Sequence, residues 1–247
     1  MRTLAIANQR GGCGKSTTAA ALAEAAAVQG LRVLAVDLDP QGILSFYTGA
    51  DANQSGAFDL IEGGKPAAAI IQRPGAGIDA IPAALELQTI TTGRGSARRL
   101  RAALAPIRPQ YDLIIIDTNP SPGELRLNAL MAATDLIIPL GADIGSLQGL
   151  YQLNDEARQL QLTNNPGLNI CGCIITDLDS RSTLARTMAA RIQETAQGLK
   201  IPCLGCIRHA VAIQEAQSFQ ISLYEHAPNS KPAKDYLEVL ARIIDGQ

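Results

Sequence analysis

The run Gly11-Gly12-Cys13-Gly14-Lys15-Ser16-Thr17 constrains this chain more than any other. It stands between a short apolar run, 3–7, and an Ala-rich helical pattern, 16–29. Glycines let backbone N–H groups curl around an anion, and the N-terminus of the following helix adds partial positive charge. The spacing is that of the phosphate-cradling loop G-x-x-x-x-G-K-[ST], with Gln9 in place of its first glycine. On that pattern Gly11, Gly12, Cys13, Gly14 and Thr17 surround phosphate oxygens. Lys15 reaches the β- and γ-phosphates, and Ser16 offers its hydroxyl to Mg²⁺. A strand before such a loop and a helix after it imply a layered α/β fold.

The rest of the chain keeps that alternation. Continuous apolar runs at 3–7, 32–36, 78–81, 113–116, 136–139, 169–176 and 202–207 read as parallel strands covered on both faces. Helical patterns at 16–29, 97–104, 124–133, 146–162, 183–195 and 233–244 lie between them. The stretch 42–77 is the least regular and reads as surface loops and short helices. The expected class is α/β: a P-loop NTPase with a mostly parallel twisted sheet and helices on both faces. A length of 247 residues suits one domain. Hydrophobic residues at 47% and charged residues at 18% exclude a disordered chain and a coiled coil. No apolar run nears the ~20 residues of a membrane span, and the N-terminus lacks a secretory pattern, so the expected location is cytoplasmic. A net charge of −2 excludes a bulk polycation, leaving any nucleic-acid contact to a local patch.

Two acidic signals follow the loop. Val36-Asp37-Leu38-Asp39-Pro40-Gln41-Gly42 closes the second strand with two carboxylates two residues apart, which an extended segment points to one side. Ile114-Ile115-Ile116-Asp117 puts an acid at the tip of a buried strand, the usual place for a residue that holds Mg²⁺ through water. Ligands in open parallel sheets gather at these strand ends.

The five cysteines are Cys13, Cys171, Cys173, Cys203 and Cys206. Their odd number points to free thiols. Cys171-x-Cys173 and Cys203-x-x-Cys206 sit inside apolar strand-like runs, where cysteine behaves as a small hydrophobe, and are read that way in preference to a zinc site.

Taken together, these motifs resemble the ParA/MinD family of deviant Walker ATPases, nearest the short, Soj-like ParA branch. The likeness runs through most of the chain. It includes Gly14-Lys15-Ser16-Thr17-Thr18, Asp37-Leu38-Asp39-Pro40-Gln41-Gly42, Tyr111 to Asp117, Leu127-Asn128-Ala129-Leu130, Leu147-Gln148-Gly149-Leu150 and Glu215-Ala216. The resemblance implies slow ATP hydrolysis with Mg²⁺ and a homodimer that forms on ATP. It also implies non-specific DNA binding in the ATP state and a ParB-like activator protein, as in DNA partition on the nucleoid. By residue match, Asp39 orients or activates the attacking water, and Asp37 and Asp117 join Ser16 in the metal shell. The expected organisation is one domain over 1–247 with no N-terminal helix-turn-helix domain.

Arg10 departs from the family pattern. The resemblance places a lysine there, reaching across the dimer to phosphates; arginine keeps the charge but is forked and planar. An arginine in trans can stabilise transferring phosphoryl charge, which makes Arg10 a catalytic candidate beside Lys15 and Asp39. Asn119 stands where proline is common. The segment 207–216 aligns with a family stretch rich in Pro and Arg near the adenine and the DNA surface; only Arg208 and His209 stay basic, and Arg208 is taken as a nucleotide contact.

Residues 181–242 hold eight Lys or Arg and five acids, against thirteen and seventeen in 1–180. That asymmetry fits a DNA-facing C-terminal half and fits ordinary solvated helices equally. Arg94, Arg98, Arg99 and Arg101 form a denser cluster. Over 235–244 the last helix is amphipathic with one basic residue, Arg242, on its polar face, and is expected to pack on the domain instead of on lipid. The alternatives are a positioning ATPase for a protein cargo or division site (McdA- or MinD-like), an ATP switch with very weak hydrolysis, and an iron–sulfur scaffold ATPase. The last requires a Cys pair after the 169–176 strand, where none follows.

Overall fold

Apolar continuity becomes a central sheet in the computed structural model, which describes residues 1–90 and 96–246. Its strands are β1 (Arg2–Ile6), β2 (Val33–Leu38), β3 (Gln72–Gly75), β4 (Ile78–Ile81), β5 (Leu113–Thr118), β6 (Asp135–Gly141), β7 (Asn169–Leu178) and β8 (Cys203–Arg208). Their order is β3-β4-β2-β5-β1-β6-β7-β8. All neighbouring pairs run parallel except β3–β4. The seven expected strands all form. The unforeseen β3 is a short antiparallel edge joined to β4 through Ala76 and Gly77, both at positive φ (51° and 71°), as a tight two-residue hairpin requires. Pro74 within it fits an edge strand, where no ladder N–H is needed.

Alternate residues of each strand feed two separate cores. Ala5, Ile114 and Ile116 face one; Leu4, Ile6, Leu113 and Ile115 face the other. The first core is closed by α3 (Ala57–Ile61), α4 (Arg99–Leu104), α5 (Glu124–Ala132), α6 (Ile144–Thr163) and α7 (Thr183–Gly198). The second is closed by α1 (Lys15–Val28), α2 (Ile43–Thr48), α8 (Val211–Ser218), α9 (Leu223–His226) and α10 (Lys231–Asp245). The stretch 42–77 resolves into α2, α3 and β3. Arg94 lies outside the described residues.

The alanines of α1 are buried nearly all round, because the helix is wedged between the sheet, α10 and α2. Small side chains permit that close approach. On α10 a Ser230 cap, with its side chain accepting from Ala233 N–H, starts the helix. Tyr236, Val239, Leu240 and Ile243 then turn inward onto α1 and β8. Each aliphatic among them contributes roughly 1.5–3 kcal/mol by leaving water. The apolar face of α10 is therefore spent on the core. Among the described residues no helix is long and apolar enough to cross a membrane.

Glu24 on α1 ties this layer to α9. Its Oε2 accepts from Leu223 N–H at 2.8 Å and from Ser222 Oγ at 3.1 Å. Burial pushes its carboxyl up to about 7, against an ordinary 4.5. The folded state thus binds this proton more tightly than the unfolded chain. Its stabilising contribution is complete below the ordinary value and is lost as pH rises through about 7. Glu24→Gln keeps an accepting oxygen without the charge. Thermal melts are expected to show the variant more stable than the parent at about pH 8, by on the order of 1–3 kcal/mol, with the gain shrinking toward about pH 5. A gain that does not change with pH would contradict this origin.

Candidate active site

The C-terminal ends of β1, β2 and β5 meet at the middle of the sheet. Register sets Asp37 on β2 directly opposite Asp117 on β5, and Ile6 on β1 opposite Asp117. The loop after β1 therefore arches over two carboxylates on adjacent strands. In that loop Gly12 and Gly14 hold φ of +72° and +80°, left-handed values that suit glycine, and Gly14 starts α1. Space over Gly11 and Gly12 is open: a Cβ at either would meet nothing within 4 Å. A pocket of about 440 Å³ lies there, lined by Gly11, Gly12, Gly14, Lys15, Ser16, Thr17, Asp39, Gln41 and Pro120, with Ile43 and Tyr47 of α2. Seven of the predicted residues are thus brought together in one cleft.

Lys15 Nζ donates to the Arg10 carbonyl at 2.9 Å, so the ammonium is folded under the loop. Asp117 is fully buried; its Oδ1 accepts from Thr118 N–H at 3.0 Å. Its Oδ2 is sealed from solvent without a hydrogen bond of good geometry, and the Ser16 hydroxyl is the polar group beside it. Burial first, and then the Asp37 charge, hold the Asp117 carboxyl well above its ordinary range. An orphaned buried carboxylate oxygen beside a hydroxyl, facing phosphate-binding backbone, suits a hard divalent cation such as Mg²⁺. Ser16 and Asp117 are the residues that would hold it.

Asp37 has a different part from the one the motif suggested. Its Oδ1 accepts from Asp39 N–H at 3.0 Å, and its Oδ2 accepts from Ser45 N–H at 2.8 Å and Ser45 Oγ at 2.7 Å. That carboxylate shapes the 39–45 turn and adds negative field at Asp117. Burial, only partly offset by these donors, pushes it up to about 6. Asp39 keeps Oδ1 on Gln41 N–H at 3.0 Å and lines the pocket.

Cys13 contributes backbone and not its thiol. The side chain is buried with Sγ 3.3 Å from the Arg10 carbonyl, and burial pushes its pKa up. Its carbonyl takes the Thr176 hydroxyl of β7 at 2.9 Å. Arg208, expected to contact the nucleotide, lies outside both pocket linings. Its guanidinium is ion-paired with Asp235 on α10, and its N–H donates to the same carboxylate at 2.9 Å. The groups beside it do line a second pocket of about 300 Å³, which shares Gly12, Gly14, Thr17 and Tyr47 with the first. Its walls are Thr176, Asp177, Ile207, Ala210, Ile213, Gln214, Gln217 and Tyr236. These residues suit a nucleoside base next to its phosphates; Ile207, Ala210, Ile213 and Gln214 fall in the 207–216 segment that the family resemblance set near the adenine, whereas no motif announces Thr176, Asp177, Gln217 or Tyr236.

Arg10 lies outside both linings. It forms an ion pair with Asp143, the residue that caps α6 by accepting from Ser146 N–H at 3.1 Å. Its backbone N–H donates to Asn8 Oδ1 at 3.0 Å, and the buried Asn8 donates to the Pro139 carbonyl at 2.6 Å. Gly149 of α6 makes room for this: a Cβ there would stand 2.7 Å from Asn8 Oδ1. Asn8, immediately before the loop, is the signal the motif reading passed over.

Comparison with known proteins decides the family. A family model described as an AAA domain matches residues 1–170. The chromosome-partitioning ATPase Soj of Thermus thermophilus is 36% identical over 248 residues, covering 98% of this chain and 97% of that one. The sporulation initiation inhibitor protein Soj of Bacillus subtilis is 32% identical over 251 residues, covering 98% of each. The chain belongs to the ParA/MinD family of ATPases. Among solved structures, a Mycobacterium smegmatis protein described as cobyrinic acid a,c-diamide synthase, with bound ATP analogue and magnesium, superposes with a TM-score of 0.84 at 32% identity. That match covers 99% of this chain and 94% of the other. McdA of Cyanothece in an ATP complex gives a TM-score of 0.86 at 26% identity, covering 98% and 96%. This ParA-family chain is an ATPase that uses ATP and Mg²⁺.

Two measurements probe the site. Titration with a fluorescent ATP analogue, with and without Mg²⁺, is expected to show tighter binding with the metal for the parent chain. Asp117→Asn should lose most of that difference while keeping metal-free binding. Gly149→Ala is expected to cost about 1–3 kcal/mol of stability by crowding Asn8, and to weaken analogue binding because the loop moves with Asn8. An unchanged melting curve would show that α6 yields freely.

Proposed function

We propose that this ParA-family ATPase is a dimerising switch that binds DNA without sequence preference in its ATP state and partitions DNA. A ParB-like partner stimulates its hydrolysis, and the protein is nucleoid-associated. The observation that carries the reading is the match along nearly the whole length to Soj, a chromosome-partitioning ATPase in Thermus thermophilus, combined with a cleft that gathers the loop glycines, Lys15, Ser16 and Asp39. Lys15 leaves the Arg10 carbonyl to meet phosphate oxygens. Loop N–H groups of Gly12 to Ser16 hold the same oxygens, helped by the N-terminus of α1. Mg²⁺, when bound, neutralises charge on the transferring phosphoryl group. Asp39 orients the attacking water. Arg10 stands at the loop's mouth on an ion pair that is half exposed on both sides, at 44% and 38%. A pair in that setting is worth about 0–1 kcal/mol, so Arg10 can exchange Asp143 for phosphates across a homodimer.

A second reading, a positioning ATPase for a protein cargo, is favoured by one observation. Both basic side chains of 207–216 are engaged within the chain: Arg208 with Asp235, and His209 Nδ1 with Asp177 at 2.7 Å. Arg99 in the other basic cluster is likewise paired with Glu62. The DNA contact then falls to exposed cations elsewhere, such as Arg101 of α4 and Arg191 of α7.

The deciding experiment measures DNA binding in ADP, in ATP, and in ATP with Asp39→Ala, at low and moderate salt. The partition reading expects binding only with ATP, weakened by salt and prolonged by Asp39→Ala. Dimerisation on ATP without DNA binding would transfer the assignment to a protein cargo and a protein track. Arg10→Ala is expected to lower hydrolysis about 100-fold while leaving monomer binding of ATP unchanged; an unchanged rate would remove Arg10 from the chemistry.

A further inference from the structure

Four cysteines lie outside the nucleotide site, and a strand irregularity sorts three of them onto one face. Along the β7–β8 ladder Cys173 stands opposite Cys203, Ile174 opposite Gly205, and Ile175 opposite Cys206. Two steps on β7 therefore match three on β8, a bulge at Leu204–Gly205. In a regular strand residues three apart point to opposite faces. The bulge absorbs one step and returns Cys206 to the face of Cys203, which is also the face of Cys173. Packing agrees: Cys173 and Ile175 belong to the core under α7 with Cys203 and Cys206 packed against it, whereas Leu204 and Ile207 enter the opposite core. Cys171 falls on that opposite side.

The three sulfurs converge. Cys173 and Cys203 are directly opposed across the ladder, and Cys203 and Cys206 pack with Cys173 against one core. Gln193 Nε2 of α7 reaches Cys206 Sγ at 3.8 Å. Cys173 is buried, Cys203 and Cys206 are half-buried, and β8 is the edge strand, so solvent meets the cluster from the β8 side. Among the described residues no group of three or more His, Cys, Asp or Glu is placed to hold a metal ion. Thiols opposed across one ladder can instead be joined by oxidation.

We propose that Cys173 and Cys203 are a reversible disulfide site, closed by hydroperoxide-class oxidants, that staples edge strand β8 to β7. Backbone spacing selects this pair. Adjacent strands lie about 4.8 Å apart, inside the roughly 4.4–6.8 Å that a disulfide spans between Cα atoms. Cys203 and Cys206 are separated by two effective steps of about 3.3 Å each along one strand, at the upper limit of that span. Of the selected pair, Cys203 is half-buried on the edge strand and Cys173 is buried, so Cys203 is the sulfur that an oxidant from solvent reaches first.

The steps balance. Cys203 thiolate attacks one peroxide oxygen, the O–O bond breaks, and Cys203 becomes a sulfenic acid while the other oxygen leaves as alcohol or water. Cys173 sulfur then attacks Cys203 sulfur; the S–S bond forms, the S–O bond breaks, and the oxygen leaves as water with the Cys173 proton. Two thiols lose two hydrogens and two electrons, and the hydroperoxide takes them. The staple sits behind both pockets. Three residues on, Thr176 of β7 holds the Cys13 carbonyl, and β8 leads into Ile207 and Ala210 of the base pocket.

The test exposes the folded chain to hydrogen peroxide, blocks free thiols, and maps tryptic peptides without reductant. The expected product links peptide 159–181 to peptide 201–208, lighter by two hydrogens than the separate pair, and disappears with dithiothreitol. Because each peptide holds two cysteines, fragmentation between Cys171 and Cys173, and between Cys203 and Cys206, assigns the bond. Cys206→Ser should retain the link and Cys203→Ser should abolish it. A Cys203–Cys206 loop, a link through Cys171, or sulfinic acid at Cys203 with no link would each overturn the proposal. The parent chain alone gives the decisive map, so it does not depend on how the variants fold.

Discussion

Two carboxylates buried face to face across β2 and β5 are the constraint around which this molecule is arranged. Asp37 and Asp117 occupy opposed positions in one parallel ladder, and both are all but sealed from solvent. Burial and mutual repulsion each favour protonation, so the pair needs donors and cations to remain ionised. Asp37 is supplied with three donors by the turn that follows it. Asp117 is given one, and its second oxygen is left facing Ser16. The asymmetry divides the labour: one acid builds the loop that carries Asp39, and the other keeps capacity for a metal. Lys15 and the N-terminus of α1 add the positive field that makes such a site tolerable in a low-dielectric interior.

Much of this was legible in the sequence because each feature is local. The Gly-Lys-Ser run, an acid at a strand tip and unbroken apolar runs all act through near neighbours, and all seven expected strands appear. What escaped reading depends on contacts between distant segments. Part of the base pocket lies in the 207–216 segment that the resemblance set near the adenine, but Thr176, Gln217 and Tyr236 join it from three elements, and none carries a distinguishing pattern of its own. Arg208 was assigned to nucleotide by alignment, yet Asp235, twenty-seven residues on, captures its guanidinium. Asp37 was assigned to metal by residue match to the family, whereas the N–H groups and the Ser45 hydroxyl of the turn that follows it engage both its oxygens. Cys203 and Cys206 read as small hydrophobes of one strand; a bulge, invisible in composition, puts them on one face.

The P-loop is held from three sides, and each tether lies on a different element. Thr176 of β7 takes the Cys13 carbonyl, Asn8 anchors the Arg10 N–H to the end of β6, and Gly149 lets α6 approach Asn8. These bonds hold the loop where Gly11, Gly12, Gly14, Lys15 and Ser16 line the cleft. A loop with so many glycines loses more conformational entropy on ordering than most segments do. The tethers supply that ordering before nucleotide arrives, so binding energy is not consumed in shaping the loop.

Arg10 shows how such a scaffold can tolerate a changed residue. A lysine presents one compact charge that points along its stem; arginine presents a fork that must be oriented in a plane to be useful. Here the fork is received by Asp143, itself fixed as the cap of α6, and Gly145 keeps the space beside the guanidinium clear, since a Cβ there would stand 3.1 Å from Nη1. Orientation is thus provided by α6, while the half-exposed setting keeps the pair weak enough to be exchanged. The geometry that makes arginine workable lies at 143–149, far from the loop in sequence. A substitution that looks disruptive within the motif is accommodated by the helix on which it rests.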